Sequence, residues 1–190
     1  MKIGLYFGSF NPVHNGHLII ASHVLNETDL DQVWLVLSPQ NPLKPSASLL
    51  NEYDRLFLVN SALEGETRIK ASSIEFGLPK PSYTVDTLAY LAEKYPQHQF
   101  SIILGSDSYN NLPKWKNPHI ITENYPLYIY RRPGFEVTGS TAANITLLDA
   151  PLLDISSTHI RELIKSGKSF RYLVPDVVKD EIEKAGYYRK

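Results

Sequence analysis

The sequence predicts an α/β fold, a doubly wound parallel sheet ending in a small C-terminal helical segment, and three observations carry that expectation. Short apolar runs alternate with stretches of helical spacing, the pattern of parallel strands joined by crossover helices. The first run, residues 2–7, passes through a glycine straight into a helical pattern, as a strand, a tight turn and a helix would. Four polar or glycine-bearing stretches (8–17, 39–44, 105–115 and 154–161) sit where strands are expected to end, and doubly wound sheets hold their ligands beyond those ends.

The elements follow in order. KIGLYF (2–7) is the opening strand, and 18–26 places Leu18, Ile19, Ala21, Ser22 and Leu25 at helical spacing. QVWLVL (32–37) reads as a buried strand ended by SPQNP, with a polar, proline-containing loop over 43–50. Asn51 can cap a helix running to Leu63, and 67–72 is a short strand. GLPKP (77–81) is a turn, after which Ser82 or Thr84 opens a helix to Lys94. A buried strand over 100–104 is broken by Gly105, and 127–130 and 145–148 are further strands. Ser156 or Ser157 caps a helix through Ser166, and the last helix starts near Pro175 and stops before Gly186. No repeat or low-complexity linker divides the chain, so one domain over 1–190 is expected.

Composition narrows the function classes. With 190 residues and 43% hydrophobic content the chain can bury a sizeable core. A net charge of −1 argues against a general nucleic-acid binder, so anion recognition must be local. The absence of cysteine removes disulfides, thiolate metal sites and a cysteine nucleophile. Residues 1–7 are too short for a signal peptide, and no apolar stretch approaches a membrane span. Two glycosylation sequons, at Asn26 and Asn144, are matches of a kind common by chance. A cytoplasmic protein with no membrane partner is the expectation, and a homo-oligomer is compatible with the sequence, although no surface patch delineates one.

The chemistry starts at GSFNPVHNGH (8–17). Gly8 and Gly16 remove side chains where a backbone or ligand must come close, and Pro12 fixes the turn. His14 and His17, three apart at the head of a helix, share a face beside unpaired first-turn N–H groups. That combination predicts an anion site, best suited to phosphates. A metal pair is the weaker reading, because no nearby Cys or acid completes a ligand set, so no metal-binding residue is assigned. Neither G-x-G-x-x-G nor G-x-x-x-x-G-K-[ST] is present, which excludes a dinucleotide fingerprint and a P-loop. The second stretch is ISSTHIR (155–161), where Ser157, Thr158 and Arg161 can form a phosphate cradle at a helix start. Taken alone, the same stretch is equally a serine-capped helix with a solvated arginine.

GSFNPVHNGH resembles the glycine turn and H-x-G-H signature of nucleotidyltransferases, and ISSTHIR resembles the motif of adenylyltransferases that make dinucleotide cofactors. SYTVDTL (82–88), GSDSYNNLPKW (105–115) and RRPG (131–134) are similar to bacterial nicotinate-nucleotide adenylyltransferases, and the resemblance spans nearly the whole chain. It implies a Rossmann-like nucleotidyltransferase fold and transfer of the adenylyl group of ATP to nicotinate mononucleotide, giving deamido-NAD and pyrophosphate. Mg²⁺ is expected with the ATP, held by substrate and water. The implied catalytic residues are His14, His17 and Arg161. The implied ATP- and phosphate-binding residues are Gly8, Ser9, Phe10, Gly16, Lys44, Gly105, Asp107, Ser157 and Thr158. Tyr83, Thr84, Trp115 and Arg132 are implied at the acceptor.

Leu43 stands where the family commonly has histidine, and Lys44 reads equally as a solvated loop lysine. Trp115 reads equally as a partly buried loop aromatic, and the choice between acid and amide acceptors stays open. A non-catalytic nucleotide sensor is the reading from another class, and a relic of a class I synthetase is disfavoured by the chain's length.

Overall fold

A computed structural model describes residues 1–40, 49–137, 144–151 and 154–189. Six parallel strands form one sheet: β1 (Lys2–Gly8), β2 (Gln32–Leu37), β3 (Ile69–Ser72), β4 (Gln99–Gly105), β5 (Leu127–Tyr130) and β6 (Ile145–Leu148). Their order is β3-β2-β1-β4-β5-β6. The chain winds outward from β1 in one direction, then restarts at β4 on the other side. The break in that order lies between β1 and β4, whose registers pair Lys2 with Gln99 and Tyr6 with Ile103. A crevice opens beyond the carboxyl ends of two such strands, because their connections leave in opposite directions.

The inner strands are largely apolar on both sides because helices cover both faces, whereas the edge strands expose Lys70 in β3 and Thr146 and Leu147 in β6. Along β1, Tyr6 joins one core, while Ile3 and Leu5 join the other. In β4, Ile103 packs with Tyr6, and Ile102 and Leu104 face the opposite way. The first face is covered by α1 (Asn15–Glu27), α2 (Glu52–Ala62), α6 (Ser157–Lys165) and α7 (Asp176–Ala185). On the second lie α3 (Thr84–Lys94) and α5 (Pro118–Asn124). The short α4 (Ser106–Asn111) follows β4 without a break.

Several expectations need adjusting. α1 starts at Asn15 rather than Leu18 and turns Ile20, Ala21, Val24 and Leu25 inward, whereas Ile19 and Ser22 are exposed. The stripe that meets the first core is Ile20, Ala21, Val24 and Leu25, and Ile19 and Ser22 fall on the side of the helix turned away from it. Asn51 does cap α2, its side chain accepting from the Tyr53 N–H at 2.9 Å. α3 starts at Thr84 with Ser82 outside it, and Ser156, not Ser157, caps α6. The 3-10 turns Ile74–Gly77 and Leu112–Lys114, together with α4 and α5, are additions to the predicted set. Among the described residues no helix is long and apolar enough to cross a membrane.

Candidate active site

The loop after β1 builds the centre of the site. Past Gly8 the chain turns sharply, with Phe10 at φ 45°, in the left-handed region that side chains seldom occupy, and a cis Asn11–Pro12 bond. His14 then caps α1 with an extended backbone, and His17 is the third helical residue. The His14 N–H donates to Nδ1 of His17 at 3.2 Å, and the two imidazoles stack with centroids 3.6 Å apart. An imidazole that accepts at Nδ1 carries its proton on Nε2, so His17 offers an N–H donor from that edge. The ring edges of Phe10 and Tyr6 hold His17 in place, the former with centroids 4.9 Å apart.

His14 is only 5% exposed, and its Nδ1 has no hydrogen-bond partner among the described residues. Burial, helped by the nearby Arg132 charge, lowers its pKa to about 4, so it is neutral at physiological pH. Gly16 permits this packing: a Cβ there would lie 3.0 Å from His14 Nδ1.

From the other side comes the start of α6. The Ser157 hydroxyl donates to the Pro12 carbonyl at 2.9 Å, and Arg161 Nη1 donates to the Asn11 carbonyl at 2.8 Å. Arg161 Nη2 also donates to the Thr158 hydroxyl at 3.2 Å. This departs from the expected cradle in one respect. The Ser157 proton is directed at the loop, so this helix start presents its backbone N–H groups and the remaining guanidinium N–H groups to a ligand.

At the end of β4, Gly105 hands over to α4, and a Cβ on Gly105 would sit 2.5 Å from Asp107 Oδ1 and 2.8 Å from Arg132 Cδ. Asp107 Oδ1 is buried without a partner among the described residues, and Oδ2 faces Arg132 Nη1 at 3.5 Å. Arg132 thus pairs with the Asp107 carboxylate, and its charge also acts on His14. Tyr6 and Tyr130 share a hydroxyl–hydroxyl hydrogen bond of 2.9 Å beneath, and burial pushes both phenols above their ordinary range.

The third wall combines Tyr83, which caps α3, Thr84, its first residue, and Trp115, just past the 3-10 turn Leu112–Lys114. Lys116 ties these segments together. Its Nζ lies 4.9 Å from the centre of the Tyr83 ring and 2.8 Å from Asp86.

Residues from all three walls line one cavity of about 1010 Å³. Every proposed site residue is in its wall except Lys44, which lies outside the described residues together with Leu43. Ligand pockets commonly run from roughly 300 to 1,000 Å³, so this volume lies at the upper end of that range. No group of three or more His, Cys, Asp or Glu among the described residues could hold a metal ion.

Some contributors escape sequence reasoning. Arg55 is fully buried behind the loop and donates to the carbonyls of Ser9, Ser38, Pro39 and Leu50. Its signal is a charge on the apolar face of α2, in line with Leu58 and Val59. Asn11 gathers three elements: its Oδ1 accepts from the Leu50 N–H and the Tyr188 hydroxyl, and its carbonyl takes Arg161. Glu75, 1% exposed, accepts from the Thr87 hydroxyl at 2.8 Å beside the third wall, and burial raises its pKa. Neither Asn11 nor Glu75 stands out by residue type, because their partners are distant in sequence.

Comparison with known proteins gives the chain's family. The family model described as "Cytidylyltransferase-like" matches residues 5–163. A probable nicotinate-nucleotide adenylyltransferase of Cytophaga hutchinsonii is 51% identical over 99% of this chain and 98% of its own length. Another, from Flavobacterium johnsoniae, is 49% identical over the full length of both chains. Among solved structures, nicotinic acid mononucleotide adenylyltransferase of Plasmodium falciparum complexed with NaAD has a TM-score of 0.85 at 20% identity, covering 98% of this chain and 97% of that one. At that identity the likeness is one of fold. The chain belongs to the cytidylyltransferase-like family and, within it, to the nicotinate-nucleotide adenylyltransferases.

Proposed function

We infer that the chain transfers the adenylyl group of ATP to nicotinate mononucleotide. A phosphate oxygen of the acceptor forms a bond to the α-phosphorus of ATP, the bond from that phosphorus to the bridging oxygen breaks, and pyrophosphate leaves with the electron pair. Deamido-NAD is the other product. The observation that carries this reading is the meeting of His17 and Arg161, from opposite ends of the chain, in the wall of one cavity.

The acceptor phosphate is already a competent nucleophile, so the protein needs neither a covalent intermediate nor a general base. Its contribution is positioning and neutralisation of charge. His17 donates from Nε2 to the phosphate chain, and His14 supplies its buried ring edge beside it. Arg161 and the first N–H groups of α6, at Ser157 and Thr158, take the departing pyrophosphate from the other side. Gly8, Ser9, Phe10 and Gly16 bring backbone close to the triphosphate. Gly105 leaves room for the nucleoside, and Asp107 accepts from ribose hydroxyls. Mg²⁺ would accompany ATP as part of the substrate and would supply neutralisation of phosphate charge, while His17 and Arg161 remain the chain's own groups toward those phosphates.

At the third wall, Trp115 stacks on the cationic pyridine ring and Arg132 faces the acceptor phosphate. Tyr83 and Thr84 bring the start of α3 to the ring's substituent. A helix start favours a carboxylate over a carboxamide, which supports the acid as acceptor. The test is pyrophosphate release from ATP with the acid and amide mononucleotides side by side. Faster release with the acid is expected. Equal release with both would remove the specificity assignment, and ATP binding without release with either would make the protein a nucleotide sensor.

A further inference from the structure

Arg55 is the least expected group near the site. It is fully buried, yet no ion pair involves it among the described residues. Its guanidinium donates from Nη1 to the carbonyls of Ser9 (2.5 Å) and Ser38 (2.9 Å), from Nη2 to Pro39 (3.3 Å) and from Nε to Leu50 (2.9 Å). A buried cation without a carboxylate is poorly stabilised, and an apolar side chain would serve the packing of α2 at least as well. Its geometry is the more informative property, because a planar fork can orient several carbonyls at once.

Ser9 is the carbonyl with a consequence. Across a trans peptide the C=O and the following N–H point in opposite directions, so drawing the Ser9 carbonyl toward Arg55 turns the Phe10 N–H away from it. Ser9 and Phe10 line the cavity and Arg55 does not, so the side away from Arg55 is the cavity side. Phe10 holds φ 45°, a backbone state unfavourable for its side chain that something must maintain. Its N–H has no hydrogen-bond partner among the described residues. Its ring packs edge-on against His17, so this amide belongs to the same wall as the imidazole.

We propose that Arg55 is a positioning residue of the nucleotide site, its guanidinium holding the Ser9–Phe10 peptide so that the Phe10 N–H faces the cavity as a phosphate donor. This rests on the reading of that wall as the triphosphate site. Arg55 touches no substrate. It acts through one peptide, and the same guanidinium ties that peptide to the carbonyls of Ser38, through Nη1, and Pro39, through Nη2, just past the end of β2.

The test uses the full chain labelled with ¹⁵N-phenylalanine, which gives seven amide signals. The Phe10 signal is assigned by its loss in Phe10→Tyr. Titration of the wild type with ATP and Mg²⁺ is expected to move the Phe10 amide downfield. Lysine lacks the fork, so in Arg55→Lys the other six signals should persist while the Phe10 response disappears. ATP affinity should fall roughly 10- to 100-fold, the range for one charge-assisted hydrogen bond, with the mononucleotide KM unchanged.

If the wild-type Phe10 amide ignores ATP while pyrophosphate is still released, this amide is no phosphate donor and the proposal falls, leaving the activity intact. A Phe10 response and ATP affinity retained in Arg55→Lys would overturn the positioning role alone. Should Arg55→Lys fail to fold, Arg55→Ala with methylguanidinium replaces it. Recovery of the Phe10 response with added methylguanidinium is the supporting result. No recovery, whether or not the variant folds, means that the guanidinium serves the fold at large and overturns the proposal.

Discussion

His14 is a histidine that the fold keeps uncharged. Its burial and the Arg132 charge lower its pKa from 6.5 to about 4, whereas an unfolded chain takes up that proton near the ordinary value. Above that ordinary value both states are neutral and His14 adds no pH dependence. As pH falls from 6.5 toward 4 the unfolded state binds the extra proton, so stability is lost across that window. The full effect is about 3 kcal/mol at its acid end. Denaturant unfolding followed from pH 7 to pH 4.5 should show the wild type losing stability more steeply than His14→Gln. Equal slopes would place His14 in a solvated setting.

Residue type and spacing named the two histidines and Arg161 as candidates in advance, and all three line the cavity. The roles of Arg55, Asn11 and Glu75 depend on partners folded in from elsewhere, such as Ser9 for Arg55 and Tyr188 for Asn11. No local pattern announces such pairings.

α6 is best understood as a strut on the histidine loop. Ser157 and Arg161 grip the carbonyls of Pro12 and Asn11, so the helix start and the loop move as one unit. Ser157→Ala removes the first grip and is expected to lower stability by about 1 kcal/mol, the net worth of a typical hydrogen bond. If the strut sets the phosphate geometry, the same variant raises the KM for ATP while the KM for the mononucleotide stays put. Steady-state kinetics with each substrate varied in turn checks this. An equal rise in both would indicate a general loosening.

The long, strongly patterned elements were legible at this scale. All six strands were placed, and the capping residue of α2 was named in advance. α4 and α5 were not, for a physical reason. Each is shorter than two helical turns, too short to display a periodicity, and α5 is launched by Asn117 in a left-handed conformation that no local pattern demands. The buried stripe of α1 was misjudged because Ile19 has the residue type of a core position yet falls on the exposed side, and the helix start was missed because it is held by a tertiary contact: the Asn15 N–H donates to the Leu173 carbonyl at 2.9 Å.

Over the whole molecule, sheet order does the organising. A parallel sheet wound in both directions from β1 and β4 opens a crevice at their carboxyl ends, and residues of the stretches 8–17, 105–115 and 154–161 line it. The doubly wound class followed from alternating strands and helices, but the strand order could not be read from them. It depends on which edge each crossover chooses, and both cores are built mainly from Leu, Ile and Val, which do not distinguish one strand neighbour from another. The cavity gathers residues from position 6 to position 161, so the site exists only in the assembled fold.

The central claim is that His17 and Arg161 act on one phosphate chain from facing sides. A double-mutant cycle on kcat/KM for pyrophosphate release, using His17→Ala, Arg161→Ala and the pair, tests it most directly. Each single variant should stay folded and lose roughly 10²- to 10³-fold in turnover. The pair should lose clearly less than the product of the two, because groups that hold the same substrate fail together. Strictly multiplicative losses, or near-normal turnover in His17→Ala, would contradict it.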